Sequence, residues 1–422
     1  LSARSISFET LGCKLNQYDT QLLIESFART PGYRVVEPGG HSDISVINTC
    51  TVTSKTDRQS RNLIRRAVRK RPKPVVVVTG CYAEVDPGSI LDISGVDHVV
   101  PNSTRWQDFE RLFGVETAKT IHGFRNHTRA FIKVQEGCSN SCSYCIVTRA
   151  RGEERARPSR GIAAEVEALV SQGFKEVVLT GTDLGKYVDE SGEDLVALLR
   201  MLEDIDGLER IRLSSIHPDR VTKPLLDCFS SSSRLCPHLH LSIQSADDSV
   251  LNLMNRSYTR SDCERAVQNL ICACPHIALG ADFIAGFPGE DDPAFERTLD
   301  FVKGAGLAYL HVFPFSARSG TKAASMRRQV APDIKRERAA LLRQAGEWKW
   351  LAYRNRFLGA RLECLVESRR RAGSLVGLSA NYIRVEFEGD DCLRNRLVPV
   401  RFMSIDRERN YGMAESVRGC RA

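Results

Sequence analysis

Three cysteines crowd one short stretch: Cys138, Cys142 and Cys145, spaced C-x3-C-x2-C within residues 137–145. A structural zinc site takes four ligands, and no fourth cysteine or histidine follows closely. Three thiolates on one tight loop can instead hold three corners of a 4Fe–4S cube, leaving one iron open to a substrate or cofactor. Zinc and unrelated cysteines are the competing readings. Tyr144 stands immediately before the last cysteine.

A second set is dispersed. Cys13, Cys50 and Cys81 each follow a short apolar run, residues 5–10, 44–47 and 75–78. Runs of this length rich in Val and Ile read as strands, and helical spacing follows over 16–28 and 57–70. In an open parallel sheet, ligands gather outside the carboxyl ends of the strands. A single cysteine after a strand is ordinarily a small buried apolar residue. The threefold repetition predicts that these three converge into a second three-thiolate cluster.

The elements that must carry the first triad follow it in order. Strand patterns over 130–134, 177–180, 210–215, 238–243, 278–284 and 309–313 alternate with helical segments. Six βα units predict an incomplete parallel barrel with its chemistry at the C-terminal mouth. Polar residues fall at the predicted strand ends: Thr180 and Gly181, Ser214 and Ser215, Gln244 and Ser245, and Asp282 with Gly286. Together they suit a ligand with a nucleoside and an amino-acid part. Arg149, Arg151, Arg155, Arg157 and Arg160 follow the cysteine loop and are expected to contact phosphate or carboxylate. His217, His240, His276 and His311 show no ligand spacing and read as structural, as do Cys228, Cys236, Cys263, Cys272 and Cys274.

The fold class is thus α/β in three parts: a parallel α/β domain over 1–125, with 114–128 as a linker; a partial (β/α)6 barrel over 126–356; and a small antiparallel β-barrel over 357–422. The last part shows evenly spaced short strands. With Tyr382 and its arginines it suits RNA binding by stacking and charge. The net charge of +8 and pI near 8.8 lean toward a polyanionic partner. Arg58, Arg61, Arg65 and Arg69 form one basic helix face, which reads as solvated or phosphate-contacting. No apolar run is long enough to span a membrane. Fourteen cysteines in a long enzyme-like chain fit a reducing, cytoplasmic compartment better than a secreted disulfide scaffold.

Several stretches carry a family resemblance. Residues 10–20, 48–53 and 79–83, the cysteine loop, Leu213 to Ile216, Leu251-x2-Met254-x-Arg256-x-Tyr258, residues 282–290 and residues 311–316 resemble the radical S-adenosylmethionine (SAM) methylthiotransferases. Residues 377–382 resemble that family's RNA-binding TRAM domain. The resemblance implies two 4Fe–4S clusters, one on Cys138, Cys142 and Cys145 and one on Cys13, Cys50 and Cys81. It also implies SAM, bound near Tyr144, Phe313 and the strand-end residues named above. The implied reaction cleaves SAM reductively to a 5′-deoxyadenosyl radical, which takes hydrogen from C2 of an adenine, and the second cluster presents the methylated sulfur. Residues 14–20 resemble the subgroup acting on N6-threonylcarbamoyladenosine beside the anticodon of tRNA. The partners implied are the tRNA anticodon stem-loop, an external electron donor and a sulfur donor. The alternatives are methylthiolation of isopentenyladenosine or of a ribosomal protein, and, in a different class, a non-catalytic iron–sulfur RNA-binding protein.

Overall fold

The structure, a computed structural model, describes residues 3–407 and 410–416. The N-terminal part runs β1 (Arg4–Thr10), α1 (Lys14–Arg29), β2 (Tyr33–Val36), β3 (Ile44–Thr49), α2 (Ser54–Val68), β4 (Val75–Gly80), α3 (Cys81–Val85), α4 (Pro87–Leu91), β5 (His98–Val100) and α5 (Arg105–Phe113). Its five strands are all parallel, in the order β2-β1-β3-β4-β5. The Val run of β4 is buried on both faces, the pattern expected of a central parallel strand. The order reverses between β1 and β3, so the crevice at their carboxyl ends is the natural ligand site. Helix α2 begins at Ser54, earlier than its periodicity predicts, because Thr53 and Thr56 form a capping box there. It ends at Val68, so Arg69 caps the helix instead of extending its basic face.

The expected linker, 114–128, contains no regular element, yet it is packed. Val115, Ala118, Ile121 and Phe124 are buried, and the Ile121 amide donates to Glu165 (2.8 Å). It straps the first sheet to the barrel.

The barrel runs β6 (Arg129–Lys133), β7 (Gln135–Glu136), α6 (Val147–Arg151), β8 (Arg155–Ala156), α7 (Ser159–Ser171), β9 (Glu176–Thr180), α8 (Leu195–Glu203), β10 (Arg210–Leu213), β11 (Ser215–Ile216), α9 (Lys223–Ser231), β12 (His238–Gln244), α10 (Asp248–Leu253), α11 (Arg260–Ala273), β13 (Ala278–Ala285), α12 (Asp292–Gly304), β14 (Tyr309–Pro314) and α13 (Pro332–Asn355). The wall is two parallel sheets, β10-β9-β6 and β11-β12-β13-β14. The single strand expected over 210–215 breaks at Ser214, where its amide turns to Leu179 O (3.1 Å). Outward residues such as Leu239, Leu241 and Ile243 are fully buried under the helices, while His238, His240, Ser242 and Gln244 alternate with them.

A closed five-stranded barrel ends the chain: β15 (Arg361–Arg371), β16 (Ser374–Ser379), β17 (Arg384–Phe387), β18 (Leu397–Asp406) and β19 (Tyr411–Ser416). It is not wholly antiparallel, since β17 pairs β19 in parallel to complete the closure. It docks under the N-terminal ends of β10 and β12. Arg210 donates to Leu378 O (3.1 Å) and Glu363 O (2.7 Å), and Arg212 to Ala380 O (2.9 Å) and Ser379 O (3.3 Å). Tyr382 stacks on His238 at 4.1 Å. Among the described residues, no helix is long and apolar enough to cross a membrane.

Candidate active site

Cys13, Cys50 and Cys81 follow β1, β3 and β4, and the structure brings them together. A Cβ built on Gly12 would lie 2.8 Å from Cys50 Cβ and 3.3 Å from its Sγ. One on Gly80 (φ +100°) would lie 2.3 Å from Asn48 Oδ1 and 2.4 Å from Thr49 O. Only glycine lets these loops approach so closely. Asn16 braces the crevice: its side-chain amide donates to Leu11 O (2.9 Å) and Thr49 O (3.0 Å), and its Oδ1 accepts from Cys81 Sγ (3.7 Å). Asn102 donates to the same sulfur (3.7 Å). Burial pushes the Cys50 thiol up to about 12, with Cys13 and Cys81 adding repulsion between thiolates. Burial likewise raises Cys81.

The second triad sits on the loop between β7 and α6. Backbone amides of Asn140 and Val147 donate to Cys138 and Cys145 Sγ, each at 3.4 Å. Burial raises both thiols, Cys145 to about 11, and these amide contacts pull the other way. All six cysteines are free. Among the described residues, neither triad gathers its sulfurs within 4.8 Å of one another. A tetrahedral zinc with Zn–S of about 2.3 Å needs sulfurs about 3.8 Å apart. Neither triad is set at the spacing a single tetrahedral ion needs.

The triads are mechanically linked. Arg151, on the helix after Cys145, donates to Asn16 Oδ1, to Asp19 (3.2 Å) and to Glu136 (2.5 Å), while Asn102 reaches Ala150 O (2.6 Å). Burial works against its charge, but Cys81, Asp19 and Cys13 around it raise its pKa. Arg157 donates to Tyr18 OH (2.7 Å) and Glu165 (2.8 Å). These two arginines were expected to contact phosphate or carboxylate of a ligand. They meet protein groups instead: Arg151 pairs Asp19 of the first domain, and Arg157 pairs Glu165 of its own barrel, which the strap also engages through the Ile121 amide.

Around the second triad, several polar atoms lack partners in the protein. Thr182 Oγ1, Asp183 Oδ1 and Ser214 Oγ are buried at strand ends without a hydrogen bond. Such atoms carry a desolvation cost unless something else meets them. They fit a polar ligand at the mouth, as expected for Ser214. Gly181 lies so close to Gln135 that a Cβ would meet its Oε1 at 2.9 Å, and that oxygen accepts from the Thr182 and Asp183 amides (2.8 and 3.0 Å). Thr180 is buried on the same strand, Ser215 is half-buried, and Gln244 ends β12 with a left-handed backbone (φ +68°). Tyr144 accepts from Arg256 (2.7 Å) and packs edge-on against Phe287. Phe313 is 42% exposed on β14.

Three expectations for the mouth need correction. Ser245 points away from it, its Oγ 3.3 Å from Thr298 Oγ1 under α12. The Gly286 amide is already given to Glu290 (2.9 Å), and a Cβ there would meet Lys335 of α13 at 2.4 Å. Asp282 lies inside the barrel, not at its mouth, in register opposite His311.

Asp183, His217 and Arg256 join the mouth unannounced by spacing. Asn140 donates to Asp183 (2.7 Å), and Arg256 lies 3.0 Å from His217 Nε2. His240 and His311, read as merely structural, converge on Asp282 at 2.9 and 3.5 Å. Burial opposes the Asp282 charge, but His240 and then His311 hold its carboxyl well below the usual range. Tyr309 OH lies 3.2 Å from His240 and 2.8 Å from His238. The usable signal was strand alternation: three adjacent strands each place a polar residue on the inner face.

Residues 5–101 match the model of the Uncharacterized protein family UPF0004, and 132–302 that of the Radical SAM superfamily. The chain is 39% identical to Threonylcarbamoyladenosine tRNA methylthiotransferase MtaB of Aquifex aeolicus, covering 91% of this chain and 97% of that one. It is 36% identical to the Bacillus subtilis protein of the same name, over 97% and 96%. A tRNA-2-methylthio-N(6)-dimethylallyladenosine synthase of Syntrophotalea carbinolica is 31% identical over 97% and 99%. Among solved structures, the radical SAM methyltransferase TsrM of Kitasatospora setae shares the fold at 15% identity and TM-score 0.55, over 76% and 75% of the two chains. Near-full-length identity of this order leaves one assignment: the chain belongs to the radical SAM tRNA methylthiotransferase family.

Proposed function

We propose that this methylthiotransferase acts on C2 of N6-threonylcarbamoyladenosine next to the tRNA anticodon, at adenosine 37, and that it carries two 4Fe–4S clusters. As a radical SAM enzyme it uses SAM and one 4Fe–4S cluster. The observation that carries the two-cluster reading is the convergence of Cys13, Cys50 and Cys81 on a crevice tied through Asn16 and Arg151 to the loop of Cys138, Cys142 and Cys145. When bound, the clusters supply an electron to SAM and a sulfur for transfer. The protein's own residues hold and enclose the reactants. Asn140 and Gln135 fix Asp183, whose free oxygen, with Thr182 and Ser214, faces the mouth where SAM would bind. Arg256 and Tyr144 close the wall behind Cys145. The C-terminal barrel docks at the N-terminal ends of β10 and β12 through Arg212. An external electron donor and a sulfur donor complete the reaction, in the cytoplasm.

Two observations support the threonylcarbamoyl substrate over isopentenyladenosine. Relatives named for the former are 33–39% identical, and those named for the latter 31–32%. The barrel interior also presents His240, Asp282, Tyr309 and His311. An apolar isopentenyl group would gain nothing from this polar network, whereas a hydroxyl, urea and carboxylate can hydrogen-bond to it.

The test is mass spectrometry of tRNA nucleosides from cells with and without the protein. Loss of 2-methylthio-N6-threonylcarbamoyladenosine is expected. An unchanged level, with no redundant enzyme present, refutes the substrate. Iron after anaerobic reconstitution should be about eight per chain, and Cys13→Ala should keep about half while still cleaving SAM.

A further inference from the structure

Seven arginines are buried among the described residues. Six of them, Arg105, Arg151, Arg210, Arg212, Arg318 and Arg338, reach a carboxylate within 4.0 Å. Arg354, near the end of α13 and only 4% exposed, is the exception. Its Nε donates to Trp350 O (3.3 Å), and its guanidinium lies over the Trp350 ring at 5.0 Å. Burial pushes its pKa down to about 10, and among the described residues no carboxylate lies within 4.0 Å to offset the cost. A buried charge without a partner is expensive unless a ligand supplies the opposite sign.

Arg354 lines a cleft of about 880 Å³ between β14, α13 and the C-terminal barrel. Arg343 and Arg384 line the same cleft, and so do the rings of Trp348 and Tyr382. Trp348 is 64% exposed, an unusual placement for a large ring, and Tyr382 is held in place by stacking on His238. The cleft runs inward to Tyr309 and His311, whose side chains line the barrel interior. Cations interleaved with aromatic faces are the surface that takes unpaired nucleotides: phosphate on the guanidinium, base on the ring.

We infer that this cleft seats a single-stranded nucleotide adjoining the target adenosine, with Arg354 receiving a backbone phosphate and the exposed Trp348 ring a base. The inference rests on the RNA substrate proposed above. A carboxylate, such as that of the threonylcarbamoyl group, is the other anion a guanidinium would accept. The cleft's size and its aromatic walls favour a whole nucleotide.

The test measures binding of anticodon stem-loop RNA, with and without the threonylcarbamoyl group, to the reconstituted holoenzyme by fluorescence anisotropy between 50 and 200 mM salt. Arg354→Gln should weaken both loops by the same factor, about tenfold or more, and lower the slope of log affinity against log salt by about one. Arg354→Lys should recover most of the affinity. If circular dichroism shows that Arg354→Gln is misfolded, the exposed variants Arg343→Gln and Trp348→Ala carry the test, each with an expected loss of about three- to tenfold. Wild-type affinity and slope in the folded variants overturn the inference while leaving the RNA substrate intact. So does a loss confined to the threonylcarbamoylated loop, which would assign Arg354 to the carboxylate. Failure of the wild-type protein to bind either loop overturns the RNA reading itself, and the inference with it.

Discussion

Replacing Asp19 by Asn exchanges one oxygen for an amide and removes one fully buried charge. The carboxylate meets three cations: Lys133 at 2.7 Å, Arg105 at 2.8 Å and Arg151 at 3.2 Å. Burial alone would neutralise it, but Lys133, then Arg105 and Arg151, hold its carboxyl well below the usual range. In the variant, Glu136 still serves Lys133 (2.9 Å) and Arg151 (2.5 Å). Arg105, 3% exposed, keeps Asn102, a long contact to Thr79 Oγ1 (3.4 Å) and the Trp106 ring at 5.5 Å, with no other carboxylate within 4.0 Å among the described residues. Stranding one buried cation costs about 3–5 kcal/mol. For a unit of about 100 residues, each kcal/mol moves Tm by roughly 4 °C, so the first sheet should melt about 12–20 °C lower. Differential scanning calorimetry, with limited proteolysis of the 114–128 strap, reads both the stability and the loosening. A Tm within about 3 °C of wild type, with the strap still protected, would refute this account of how the sheet is held to the barrel.

Gly80→Ala forces a Cβ against Asn48 and the Thr49 backbone at a positive φ, so denaturant unfolding should show a loss of about 3 kcal/mol or more and reconstituted iron should fall toward one cluster. A loss under about 1 kcal/mol would place the loops farther apart than described. Burial, then Arg256, lowers His217 to about 4. The unfolded chain therefore takes up a proton as pH falls below about 6.5 while the folded protein does not, so stability held above that pH is lost between about 6.5 and 4. By pH 5 this loss is about 2 kcal/mol, and His217→Gln should remove that part of the pH slope in thermal melts. Arg212→Met leaves Glu176 with only Arg210 and Arg129, at 3.8 and 3.9 Å, and frees two carbonyls of the C-terminal barrel. Hydrogen exchange should rise in residues 374–387 and stay unchanged in the first sheet, at a cost of about 3 kcal/mol.

The cysteine chemistry was legible because it is local. A tight loop with three thiols, and three repeats of strand then cysteine, need no long-range contact to be noticed. The strands themselves were legible for the same reason, since period-two and all-apolar runs mark them. The edge strand β2 and the short β5 carry too few apolar residues to stand out. What spacing cannot convey is which partner a polar residue finds across the fold. Arg151 and Arg157 follow the cysteine loop, where a ligand was the natural expectation, but helix α1 brings Asp19 to the first and α7 brings Glu165 to the second. Ser245 follows a strand end as Ser214 does, yet one turns under a helix and the other faces the mouth. His240 and His311 lie far apart in the chain and become neighbours only because β12, β13 and β14 pair in one register.

The C-terminal barrel is gripped largely by its main chain. Arg210 and Arg212 hold the carbonyls of Glu363, Leu378, Ser379 and Ala380, groups that every amino acid possesses. Mutations that alter those side chains leave the grip intact. Selection is therefore free to rewrite much of the barrel's outward surface without redesigning the joint. A module attached in this way can diversify faster than the catalytic body that carries it, and grafts between relatives should succeed wherever the two receiving arginines are kept.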